Sequence, residues 1–241
     1  MAHPLDGAVL RLNRADRHLS EADKIIMAYA ATYVDHVVAD DDGKTVRFPQ
    51  GWPPIPAELS VVVSDAIHNM RAALDYIVYE LALEDSGKIQ SGTQFLIEDI
   101  KSDPLDPKRG FDARSKQYLK GLEQCHIDMI EGLQPYKGIH WTKTLRDISN
   151  PDKHRTLTAL SSHGRKIQVA VLHRPSGKFP GELKMTDEGP MFDRFDLEFD
   201  AHDAITIAPA DPSKPALMAT LRILETEVCG TIELFKPEFT I

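Results

Sequence analysis

Residues 58–84 read ELSVVVSDAIHNMRAALDYIVYELALE, and the two stripes in this stretch decide the fold. Val63, Ile67, Met70, Leu74, Ile77 and Leu81 recur at alternating spacings of four and three, the apolar seam of a core-facing helix. At ~100° per residue, Asp65, His68, Arg71, Asp75 and Tyr79 form a second stripe displaced by about a third of a turn. An ordinary solvated face is Glu and Lys, yet no lysine occurs between Asp65 and Glu84. Short acids, a histidine, an arginine and a phenol hold geometry rather than merely face water. The helix is therefore expected to carry a site as well as a core. The plainer alternative is an i,i+4 surface pair between Arg71 and Asp75, worth about 0.2–0.5 kcal/mol.

Working outward, a first helix is expected from Leu5 to about Tyr33, with Leu5, Val9, Leu12, Leu19, Ala22, Ile26 and Tyr29 in rhythm and Arg11, Arg14 and Arg17 facing solvent. Asp42-Gly43 between VDHVVA and KTVRF predicts a hairpin turn. The prolines of PQGWPPIP then keep the chain out of a helix until the central one begins. TQFLIE (93–98) reads as a short strand, and Asp112 as the cap of a helix running to about Leu133. A further helix starts near Thr142, is interrupted at Asn150-Pro151 and continues to about Leu160. From Lys166 the period becomes two, in IQVAVLH, GELKMT, FDLEFD and AITIA. Leu217, Leu221, Leu224, Val228, Ile232 and Phe235 give a final helix. The expected class is α+β: a bundle of about five helices with a small antiparallel sheet inserted before the C-terminal helix. It is expected as one domain over residues 1–241, with the bundle at 1–160 and 213–241 and the mainly β segment at 165–210.

The hydrophobic and charged fractions, 42% and 27%, belong to an ordinary soluble globule. No apolar run approaches the ~20 residues that span a bilayer, so no membrane partner is expected. Cys125 and Cys229 are too few for a disulfide framework or a thiolate cluster, which points to a cytoplasmic protein with reduced thiols. The formal net charge of −9 argues against a general nucleic-acid binder. It is unevenly spread. Residues 137–178 hold nine Lys or Arg against Asp147 and Asp152, a local +7 that leaves −16 on the remainder. This basic segment is either an anion-binding face or a surface docked on an acidic one.

Asn150-Pro-Asp-Lys-His-Arg155 lies inside it. Asn before Pro is a standard helix start, which would place Lys153, His154 and Arg155 in a first turn whose free N–H groups favour an anion. Cations at that end are unfavourable alone, so Asp65, Asp75 or a bound phosphate is expected nearby. Asp65-x-x-His68 and Glu123-x-x-His126 match the carboxylate-x-x-His spacing of di-iron bundles, with Glu21, Glu225 and Glu227 as nominal further ligands. His126, however, falls on an apolar face, where a satisfied core histidine is the simpler reading. No glycine-rich phosphate loop, dinucleotide fingerprint or nucleophile elbow is present, and neither a cofactor nor a metal is expected.

DAIHNMRAALDYIVYELA followed by NPDKHR resembles a widespread, poorly characterised group of bacterial helical proteins marked by D-x-x-H-N-x-R-x-A-L-D and N-x-D-K-H-R. More loosely, an arginine and a histidine on one bundle helix is similar to the HEPN superfamily, many of whose members are metal-independent ribonucleases acting as dimers in toxin and phage-defence systems. Arg71 takes the arginine position, while Tyr76 stands where the histidine should be and Ala72 follows the arginine. The resemblance implies a homodimer that cleaves RNA, or binds it or another phosphate-bearing ligand. His68, Arg71 and His154 would carry the chemistry, and Asp65, Asn69, Asp75, Asn150, Lys153 and Arg155 the binding. The other class is a non-catalytic binding or assembly protein, in which the same side chains form a buried network fixing helix register.

Overall fold

The computed structural model describes residues 3–29, 54–150 and 216–239 with their side chains. It adds the helical backbone at 30–33 and 151–154 and a few short strand segments. Six helices are present among these residues: α1 (Asp6–Tyr33), α2 (Ala57–Ser86), α3 (Phe111–Tyr118), α4 (Gln124–Gly132), α5 (His140–His154) and α6 (Leu217–Phe235). The chain divides into two compact units. The first comprises Met1–Ala22, Ser60–Ala159 and Met218–Ile241, and the second Asp23–Leu59 and Leu160–Leu217.

In the first unit α2 is the central rod. Between Ala57 and Ser86 it contains no glycine or proline, and every residue of its apolar seam is fully buried. It stops where the Ser86 hydroxyl donates to Ala82 O (2.6 Å) and accepts from the Lys88 N–H, with Gly87 at φ 65° donating to Leu83 O. The α1 start is fixed reciprocally: the Asp6 carboxylate accepts the His3 N–H, and His3 Nδ1 accepts the Leu5 N–H. Gly7 lies so close to the Tyr76 ring that a Cβ there would stand 2.9 Å from it, and Arg11 reaches Asn69, so α1 runs antiparallel to α2. It runs antiparallel to α6 as well, since His3 meets Lys236 and Asp16 meets Arg222. Leu221, Leu224, Val228, Ile232 and Phe235 complete the core from α6.

The α+β class is corrected by this architecture. Among the residues described with side chains the regular structure is helical, and no sheet is found. In the second unit the backbone pairings are runs of two to four residues in three separate patches, β1 (Val38–Ala39), β2 (Thr45–Arg47) and β4 (Ile167–Gln168) in one, β3 (Leu160–Ser162) with β7 (Ile205–Ile207), and β5 (Leu183–Thr186) with β6 (Gly189–Phe192). They do not build the single sheet expected before α6. Alternation specifies a sheet only when one face is buried over several strands, and runs cut by Gly, Pro and Asp are too short for that. The helix expected from Asp112 to Leu133 is likewise split into α3 and α4 around Gly121, whose φ of 82° no helix accommodates.

Candidate functional site

The polar residues of α2 point to different surroundings. Arg71 is only 4% exposed, and its Nη2 donates to the main-chain oxygen of Phe95. One turn on, Asp75 Oδ1 accepts the Phe95 N–H at 2.9 Å. Two charged side chains thus hold both polar groups of one residue. Burial pulls the Arg71 guanidinium below its ordinary value; Asp75 opposes that shift, and Arg146 on α5 adds to it. Nη1 of Arg71 is buried without a hydrogen-bond partner. The charge of Asp75 is what makes a guanidinium tolerable there.

The clamp belongs to a larger device. Residues 93–98 run extended but form no strand, and their main-chain groups are met largely by side chains. Besides Phe95, Leu96 O accepts from Gln134 Nε2 and the Glu98 N–H donates to Gln134 Oε1, both at 2.8 Å, while Gln94 N–H reaches Tyr118 O. Phe95, Leu96 and Ile97 are buried behind them. The expected strand is therefore a single extended segment whose ladder is supplied by Arg71, Asp75 and Gln134.

On the side facing α1 the remaining motif residues meet different neighbours. Asn69, 6% exposed, donates from Nδ2 to Asp65 O (2.8 Å) and turns Oδ1 toward Arg11 Nη1 at 3.5 Å. The Arg11 guanidinium lies 5.7 Å from the centre of the Tyr76 ring. Asp65 and His68 are exposed. Arg71 and Tyr76, five positions apart, are separated by ~140° around the helix, and they contact different parts of the fold. They do not form one face.

Asn150 is exposed near the end of α5, and that helix runs unbroken through Asn150-Pro151 to His154. The expected interruption is absent, and the electrostatic expectation built on it reverses. Lys153 and His154 stand in a last turn, where the free carbonyls favour cations, so no anion is needed to offset them. The side chains of Lys153 and His154, and residues 155–159 altogether, lie outside the described residues, and Leu160, the expected helix end, belongs to β3 instead. Upstream on α5, desolvation works against Arg146, but bonds to Asp147 (2.7 Å) and Asp99 (3.0 Å) outweigh it and keep the guanidinium above its ordinary value.

No family model matches this chain, and neither a curated protein nor a solved structure is significantly similar to it. The likeness to the two-motif bacterial group and to HEPN proteins thus rests on the motif residues themselves.

The second carboxylate-x-x-His element has a structural occupation. His126 is buried, with Nδ1 2.7 Å from Asp85 Oδ2 and Nε2 3.3 Å from Glu238 Oε2, and Asp85 also accepts the Glu123 N–H. It joins the end of α2 to α4 and the C-terminal turn. Among the described residues no three His, Cys, Asp or Glu side chains are grouped as a metal site, and no helix is long and apolar enough to cross a membrane. What the sequence reading passed over is α1. Gly7 meets the Tyr76 ring and Arg11 reaches Asn69, so this side of α1 faces α2. Arg11, Arg14 and Arg17 are exposed, as the sequence reading had them, but that reading gave Arg11 no contact with α2.

Proposed function

We propose that this chain is a non-catalytic binding or assembly protein, and that the D-x-x-H-N-x-R-x-A-L-D element is a folding device. One observation carries this: Arg71 and Asp75 are both spent on the Phe95 main chain, with Arg71 buried. A guanidinium withdrawn from solvent cannot stabilise charge on a scissile phosphate, which needs donors within about 3 Å of the developing oxyanion. Tyr76, at the position where the HEPN pattern has its histidine, packs its ring against Gly7 of α1, which supports the same reading. The partner in view is RNA or another phosphate-bearing ligand, favoured by the +7 charge of residues 137–178 on an otherwise acidic chain.

The test pairs stability with cleavage. Asp75→Ala and Arg71→Ala are expected to lower the unfolding midpoint, and the wild-type protein is expected to leave labelled RNA intact in the presence of a chelator. Cleavage by the wild type that Arg71→Ala abolishes, without loss of stability, would overturn the proposal in favour of a metal-independent endoribonuclease.

A further inference from the structure

We infer that the outward face of α6 is the contact between two copies of this chain, which pair through it as antiparallel helices about a two-fold axis. The inference goes beyond the non-catalytic reading and does not depend on it. Ala219, Ile223, Gly230 and Leu234 fall within about 60° of one another around α6, on the side away from Leu221, Leu224, Val228 and Phe235. All four are exposed, Ile223 by 55% and Leu234 by 47%. A Cβ on Gly230 would have nothing within 4 Å, so a gap lies open between the two large side chains. The outermost line of a solvated helix is ordinarily its most polar, and here it is apolar.

The spacing indicates what covers it. In an antiparallel pair of identical helices, the register that sets Ile223 opposite the partner's Gly230 also sets Leu234 opposite the partner's Ala219, because both pairs are centred between Thr226 and Glu227. Each bulky side chain then meets a small one, twice over across the axis, which is the self-complementarity that a two-fold interface requires. An unrelated partner would have to supply the same alternation, whereas a second copy already has it. Charge agrees on one flank. Arg222 and Glu233 lie on the same side of the stripe, and the axis keeps that side facing itself, so Arg222 comes within ~3 Å of the level of the partner's Glu233. Arg222 also holds Asp16 and Glu225, yet its side chain is 39% exposed and that of Glu233 58%. On the other flank each Glu227 meets the partner's Glu227 near the axis, a repulsion that lowers affinity and marks the register. A contact along ~22 Å of one helix pair is small beside the ~1,200–2,000 Å² of stable interfaces, so the dimer exchanges with monomer.

Sedimentation equilibrium of the full chain, at concentrations up to the order of 100 μM, should show wild-type protein passing from monomer to dimer. Ile223→Glu should weaken association at least tenfold, and so should Gly230→Ile, which blocks the gap. Ile223→Ala combined with Gly230→Ile exchanges knob and gap and should restore most of what Gly230→Ile loses. Glu227→Gln should tighten the dimer. Leu105→Glu, a comparable change at a residue 95% exposed between α2 and α3, should leave it unaltered. Unfolding midpoints of the α6 variants, all at exposed positions, should stay near wild type. Wild-type protein that is monomeric throughout overturns the inference, as do dimers that persist unchanged in Ile223→Glu or Gly230→Ile. An exchange variant that recovers nothing, or a Glu227→Gln protein that pairs no more tightly, overturns the antiparallel register. The readout is independent of RNA cleavage, so this inference and the non-catalytic reading fail separately.

Discussion

Asp75 holds more of the fold than its half-exposed position on α2 suggests. It satisfies the Phe95 N–H and supplies the negative charge beside a buried guanidinium. Removing it strands that charge, at ~3–5 kcal/mol for a broken buried pair. Asp75→Ala is therefore expected to cost more than Arg71→Met, which removes the charge and fills its volume while leaving the Phe95 oxygen unpaired, at ~1–3 kcal/mol. Denaturant midpoints of the two variants decide the order; equal or reversed costs would remove Asp75 from this role. A second residue-scale expectation concerns acid. The bond from Lys101 holds the Glu131 carboxyl below its ordinary value, desolvation opposes this, and Lys137 adds to it. A lowered carboxylate contributes stability that is fully present above its unfolded value, ~4.3, and is lost as pH falls through the folded value. Unfolding midpoints measured from neutral pH downward should thus decline below about pH 4.3 more steeply in wild type than in Glu131→Gln. Parallel curves would show that the Lys101–Glu131 contact adds nothing in solution.

Between elements, α1 comes close to α2 at Gly7. A Cβ there would meet two atoms of the Tyr76 ring at 2.9 Å. Gly7→Val should therefore destabilise by ~1–3 kcal/mol through overpacking, although valine is the better helix former. Combining it with Tyr76→Ala, which clears the ring, should recover part of that loss, and a double-mutant cycle by thermal or chemical unfolding measures the recovery. Strict additivity would mean the two residues are not in contact. The extended segment at 93–98 makes a related point about elements. Its hydrophobic residues have the composition of a strand, but α2 and Gln134, two residues beyond α4, reach its main chain first. A strand needs a neighbouring strand; a segment lying across helices takes side-chain partners instead.

For the molecule as a whole, the uneven charge and the homodimer that the HEPN likeness implies bear on solution behaviour. A homodimer, as the HEPN likeness implies, would sediment at about twice the 26.9 kDa of one chain. Sedimentation equilibrium over a range of concentrations checks this, and a species at 26.9 kDa throughout rules out the implied homodimer. The same run at low and high salt shows whether the basic segment takes part, because an interface between opposite charges weakens as salt screens it.

The sequence by itself determined the helical rods. The seam of α2, the extent of α1 and the whole of α6 follow from apolar spacing, which is a local property of a periodic chain. It also marked Arg71 and Asp75 as more than surface, because no solvated helix face has that composition. Only the tertiary structure decided what they do. Their partner is the main chain of Phe95, and a main-chain group leaves no mark in a side-chain pattern. The same holds for Arg11, which is exposed as its place in the sequence suggests but also reaches Asn69 and the Tyr76 ring of α2. It holds for Asn150-Pro151 too, whose capping chemistry is overridden by the helix that carries it. Short alternating runs failed for the opposite reason: a period of two is local, but a sheet exists only when distant strands share a buried face, and that is a property of the fold.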